Sequence, residues 1–182
     1  MARLSNITRD ELKPEDQRYF DEIASSRGSV RGPFGVLLHS PNLASRVAAT
    51  GHYVRFDFAI PEALKEVVII TTAREIKSPY EFAAHARLAR AAGVSEDTIR
   101  SIAEGRAPQG LSSDETMLVN YVLELLRQHK VSDATYDAVK NRYGVQSTVD
   151  LTVLIGHYLQ VGLVLAAFEV ELPPGVTSEL PA

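Results

Sequence analysis

The 182-residue sequence has no cysteine and no tryptophan. Without cysteine it can form no disulfide, no thiolate metal site, no cysteine nucleophile and no CxxC redox pair. It also lacks any excess of positive charge: 19 basic against 23 acidic side chains leave a formal charge of −4. A general nucleic-acid binder needs clustered Lys and Arg against phosphate, so that class is disfavoured. There is no GxGxxG, no GxxxxGK[ST] and no GxSxG, which removes the common routes to nucleotide binding and serine hydrolysis. No HxH or HExxH spacing supports a metal centre. The polar N-terminus, Met1 to Lys13, has no apolar core of the kind a secretory signal carries, so the expected location is cytoplasmic.

Pro and Gly mark out a series of helices. Glu11 to Ser26 reads as a first helix closed by Gly28, followed by a loop to Pro33. Leu43 to Phe56 is a second, with Leu43, Val47, Val54 and Phe58 near one face. Pro61-Glu62 opens a helix to about Ile76, and Ser78-Pro79 opens the next, which ends at Gly93. The run Val67-Val68-Ile69-Ile70-Thr71-Thr72 is β-branched and alone suggests a strand. Helix formers before it, Ala73-Arg74-Glu75 after it and the absence of a turn signal favour helix. Ser95 starts another helix, Ser113 to Arg127 is amphipathic, and Ser132 to Tyr143 is stopped by Gly144. Ser147 to Phe168 is very apolar, but it contains Gly156, His157, Gln160 and Gly162. It is expected to be buried on all sides, in the subunit or at a subunit interface, with no membrane span. Pro173-Pro174-Gly175 marks a disordered or draped tail. The expectation is an all-α chain of about eight helices: an extension over 1–40, a domain over 41–170 and a tail over 171–182.

The densest chemical constellation lies between Ser78 and Arg87. Glu81 and His85 are four residues apart and share a helix face. A carboxylate there can orient an imidazole and prepare it for general acid–base work. The small Ala83, Ala84 and Ala86 leave room for a close approach. The same spacing also serves a solvated surface ion pair. Glu66, early in the preceding helix, would meet His85 if the two helices pack as an antiparallel hairpin; otherwise it is an acid placed to suit the helix dipole. His52 and His157 fall in apolar helices, where a hydrogen-bonded core histidine is the ordinary role. His39 and His129 sit at helix ends and are assigned nothing. A metal held by Glu66, Glu81 and His85 is formally possible, but metal and cofactor are both expected to be none.

These segments resemble the carboxymuconolactone decarboxylase-like family, which includes the alkylhydroperoxidase D-like proteins. Pro61 to Ile69 looks like that family's acidic helix with its apolar run. Glu81 to Gly93, followed by Val94 to Ile99, is very similar to its His-containing helix. The likeness is best over residues 61–103 and extends over about 41–170. The peroxidase branch carries CxxCxxxH; counted back from His85, its cysteines fall on Ser78 and Glu81. A hydroxyl and a carboxylate cannot cycle through sulfenic acid and disulfide, so thiol peroxidase chemistry is excluded. The ExxxH that is left looks like the decarboxylase branch.

The resemblance implies an alkylhydroperoxidase D-like helical domain in a homo-oligomer, trimer or hexamer, with sites near subunit interfaces. It also implies a cofactor-independent carboxy-lyase of aromatic catabolism acting on a small lactone or related anionic organic acid. His85 would be the proton donor, Glu81 its orienting group, and Glu66 would hold a second proton or align the substrate. Arg87 or Arg74 would steer the anion. The competing expectation is a non-catalytic or ligand-binding oligomer of the same fold, in which Glu81 and His85 are structural.

Overall fold

A computed structural model describes residues 2–181. In chain order the α-helices are α1 (Gln17–Arg27), α2 (Pro33–Leu37), α3 (Pro41–His52), α4 (Glu62–Glu75), α5 (Pro79–Ala91), α6 (Glu96–Ala103), α7 (Ser113–Gln128) and α8 (Asp133–Ala167). No strand occurs among the described residues. The expected first helix starts later than its sequence suggests. Arg9–Glu11 and Pro14–Asp16 are single 3₁₀ turns, and the α-helix begins at Gln17.

The caps explain most boundaries. Ser95 and Ser132 accept a backbone N–H from the residue three positions on. Ser112 and Glu115 form a reciprocal capping box at the start of α7. Gly28 closes α1 with φ +73°, donating its N–H to the Ala24 carbonyl.

Helix α4 is the axis of the domain and packs against α5, α6, α7 and α8. Every residue from Lys65 to Ala73 is buried, so the β-branched run is a helix enclosed on all sides rather than a strand. The buried Thr71 and Thr72 hydroxyls donate to the carbonyls four residues back, Val67 and Val68, at 2.7 and 2.8 Å. One core lies between α4, α7 and α8, built on Ile69, Leu118, Leu151 and Leu154. A second lies between α4, α5 and α6, with Phe82, Ile99 and Ile102. A third, around Ile23, Phe34, Leu38 and Val47, joins α1 and α2 to α3.

One expectation needs correction. Leu43 lies on the outside of α3, 47% exposed, while Val47, Val54 and Phe58 are buried. Leu43 lies in the first turn of α3, while Val54 lies in the π-helical turn Tyr53–Asp57 that follows the helix and Phe58 closes that turn. The apolar end of α8 is enclosed on one side within this chain. Leu151, Leu154, Ile155 and Tyr158 face inward, but Val145, Val149, Val153 and Leu163 are 43–62% exposed. By length and composition α8 could cross a membrane, although half of its most apolar window is buried.

The tail is draped rather than loose. Arg90 binds Glu179 at 2.7 Å, and Leu180 rests on the second core.

Gly144 breaks α8 with φ +84° and ψ 169°, a conformation essentially restricted to glycine. Gly144→Ala should destabilise the protein by about 1–3 kcal/mol. An unchanged urea midpoint would show that the kink is not held by this glycine.

Candidate functional site

The hairpin of α4 and α5 brings Glu66, Glu81 and His85 together, and all three are buried. His85 Nδ1 lies 2.7 Å from Glu66 Oε2, and His85 Nε2 lies 3.6 Å from Glu81 Oε2. The orienting group is therefore Glu66 from the neighbouring helix, not Glu81 as its spacing suggests. An i,i+4 pair lies along one side of a helix, whereas Glu66 meets the ring head-on across the hairpin. The contact places His85 Nδ1 against a Glu66 carboxyl oxygen and leaves Nε2 towards Glu81. The ring is also wedged by Tyr158 of α8, edge-on at 4.8 Å between centroids. Burial is the main influence on Glu81 and pushes its carboxyl above the usual carboxylate range, towards the protonated form; His85, Arg55 and Arg27 oppose this in part. Burial likewise raises the Tyr158 hydroxyl, so it stays neutral.

Glu81 and His85 open onto a cleft of about 370 Å³. Its other walls come from three further parts of the chain: Arg27 and Phe34 from α1 and α2, Arg55 from the π-helical turn, and His157 and Tyr158 from α8. Arg27 lies 4.0 Å over the Phe34 ring. Arg55 is set by its turn, which Phe58 closes by donating to the Tyr53 carbonyl at 3.2 Å. The buried Lys65 holds the same turn by donating to the Arg55 carbonyl, and it pairs with Glu62 at 3.0 Å. Gly51 is required for the close packing here. A Cβ on it would come within 2.6 Å of Arg27 Nη2 and of His157 Nε2.

The expected anion-steering arginines are not the ones the fold places at the centre. Arg74 pairs with Glu75 at 2.9 Å at the far end of α4, and Arg87 is exposed at the cleft rim. Arg27 and Arg55 carry no sequence signal that marks them. Arg27 reads as a basic residue suited to a helix C-terminus, and Arg55 as one member of a mixed aromatic and charged stretch. His52 is exposed beside Phe56, whereas His157 faces the cleft.

Residues 41–124 match the model of the carboxymuconolactone decarboxylase family, and the sequence contains no cysteine. Among solved structures the chain is similar to an alkylhydroperoxidase AhpD core protein from Ralstonia eutropha JMP134, described as uncharacterized and peroxidase-related. That pair shares 14% identity over 95% of this chain and 93% of the other, with a TM-score of 0.79. It is also similar to the debrominase Bmp8, at 13% identity over 93% and 91% of the two chains and a TM-score of 0.73. A protein of unknown function from Agrobacterium tumefaciens matches at 16% identity over 79% of this chain and 99% of its own, with a TM-score of 0.66. At such identities the likeness shows the fold, which is alkylhydroperoxidase D-like and all-α. No curated protein matches the chain.

Burial, with Arg27 and Arg55 nearby, lowers His157 from its ordinary 6.5 to about 4. Between those values the unfolded chain binds more protons than the folded one. This group's contribution to stability is therefore complete above about 6.5 and is lost as pH falls through 4. The full difference is on the order of 3 kcal/mol. His157→Gln should flatten the decline of the urea midpoint between pH 7 and 4.5. An identical decline in both proteins would contradict the assignment.

Proposed function

We propose that the protein is a cofactor-independent carboxy-lyase acting on a small unsaturated lactone acid or a related carboxylic acid. The observation that carries this reading is the buried relay Glu66–His85–Glu81, with the last two groups open to a cleft. Such a substrate supplies its own electron sink. As its carboxylate leaves, the C–C electron pair passes into the conjugated carbonyl system and CO₂ is released. The carbanion then needs one proton at carbon. Glu81, whose carboxyl is raised above the usual range by burial, is the proton reservoir, and His85 Nε2 receives that proton and passes it to the substrate. Glu66 acts behind His85, fixing the ring and stabilising the imidazolium that forms in transit. Solvent at the cleft mouth restores the proton to Glu81. A neutral Glu81 also avoids repelling the substrate's carboxylate.

The sequence has no thiol for peroxide reduction, so this chemistry uses only groups that the site contains. The test is CO₂ release from 4-carboxymuconolactone and related lactone acids. His85→Ala should lower turnover by about 10²–10⁴-fold, and Glu66→Gln by about tenfold or more, with the fold intact. Turnover unaffected by His85→Ala would remove the relay from the mechanism.

The reading extends to assembly. The exposed stripe of Val145, Val149, Val153 and Leu163 on α8 is a face that a second copy of the chain would cover, in a trimer or hexamer. Light scattering should give a mass above the 19.9 kDa of one chain, and Val153→Asp should lower it. A monomeric wild-type protein would refute the assembly.

A further inference from the structure

Buried polar atoms without a partner concentrate at one place in this molecule. Six side-chain nitrogen or oxygen atoms are buried and unpaired among the described residues. Five of them lie in the cleft or directly behind it: Arg27 Nε and Nη2, Arg55 Nε, His157 Nδ1 and Glu66 Oε1. Three of the five are guanidinium nitrogens. Neither Arg27 nor Arg55 makes an ion pair with a described carboxylate, although thirteen such contacts occur among the described residues. Buried donors left unpaired are costly, and two like charges in one partly desolvated cleft add to that cost. Glu81 is within electrostatic range of both arginines but forms an ion pair with neither, and burial raises its carboxyl above the usual carboxylate range.

We propose that Arg27 and Arg55 form a carboxylate-binding subsite in the cleft, with Arg27 supplied by the N-terminal segment that lies outside the family match. The guanidinium fork matches a carboxylate in plane, and Phe34 beneath Arg27 fixes the plane of that fork. The aromatic and aliphatic walls beside the pair, Tyr158, Leu88 and Val161, suit a flat apolar body. The ligand class is therefore a ring-sized organic acid. The inference rests on reading the cleft as a substrate site and adds a role within it. Guanidinium pairing stabilises a carboxylate in the ground state, so the group held here is one that survives the reaction rather than the one lost as CO₂. Lys65 and Gly51 are positioning residues for this subsite. Lys65 anchors the Arg55 turn, and Gly51 leaves the space that Arg27 fills.

The probe is benzoate, compared with the uncharged benzamide and with inorganic phosphate, by calorimetry on the full chain. Wild type should bind benzoate, with benzamide weaker by about tenfold or more. Arg27→Gln and Arg55→Gln should each weaken benzoate by about tenfold, and the double variant should bind none. Arg27→Lys keeps the charge but loses the fork, and should fall between wild type and Arg27→Gln. Thermal melts establish that each variant is folded, and the Lys variant retains the comparison if a Gln variant does not fold.

Benzoate binding by the folded double variant at wild-type strength would overturn the proposal. So would no benzoate binding by wild type, or phosphate displacing benzoate at equal concentration. Benzoate bound at the arginines without turnover of any lactone acid would keep the subsite and remove the lyase reading. Turnover with benzoate binding indifferent to both arginines would do the reverse.

Discussion

The site depends on one hydrogen bond between two helices, His85 Nδ1 to Glu66 Oε2 at 2.7 Å. It is buried, and one of its members is charged when ionised, so removing either partner leaves the other unpaired in a poorly solvated place. Its geometry is set by the α4–α5 hairpin. That hairpin is held in turn by α4 being apolar on every side, which lets α5, α6, α7 and α8 close around it. The polar relay is therefore mounted on the most constrained element in the molecule. A side chain that must hand over a proton needs such rigidity, because a displacement of about 1 Å is enough to spoil transfer.

Around that bond the cleft is assembled from parts distant in sequence. Helix α5 contributes His85 and Glu81, α8 contributes Tyr158 and His157, the π-helical turn contributes Arg55, and the N-terminal segment contributes Arg27. The family match spans 41–124, so Arg27, His157 and Tyr158 reach the site from beyond it. With no cysteine in the sequence, the site holds a carboxyl at position 81 and no thiol.

Much of this was legible from residue order. Pro at N1 and Gly after the last turn locate α5, and the absence of any turn signal in Val67 to Thr72 makes that run helical despite its β-branched side chains. The ExxxH spacing put Glu81 and His85 on one face, and Glu66 was a candidate third member on condition that the two helices packed as a hairpin. The roles within the trio were not legible. Helical spacing predicts which residues share a face, but it cannot tell that Glu66 meets the ring head-on at 2.7 Å while Glu81 stands at 3.6 Å. Arg27 and Arg55 were invisible for the same reason: nothing local distinguishes them from the arginines at 74 and 87.

The sequence by itself determined the helical class, the absence of sulfur chemistry and the residues able to move a proton, because these follow from composition and from patterns a few residues long. Only the tertiary structure decided which carboxylate holds His85, which arginines line its cleft and which side of α8 stays uncovered. Those depend on contacts between segments up to about 130 positions apart, from Arg27 to His157, whose proximity is set by how the helices pack rather than by any local preference.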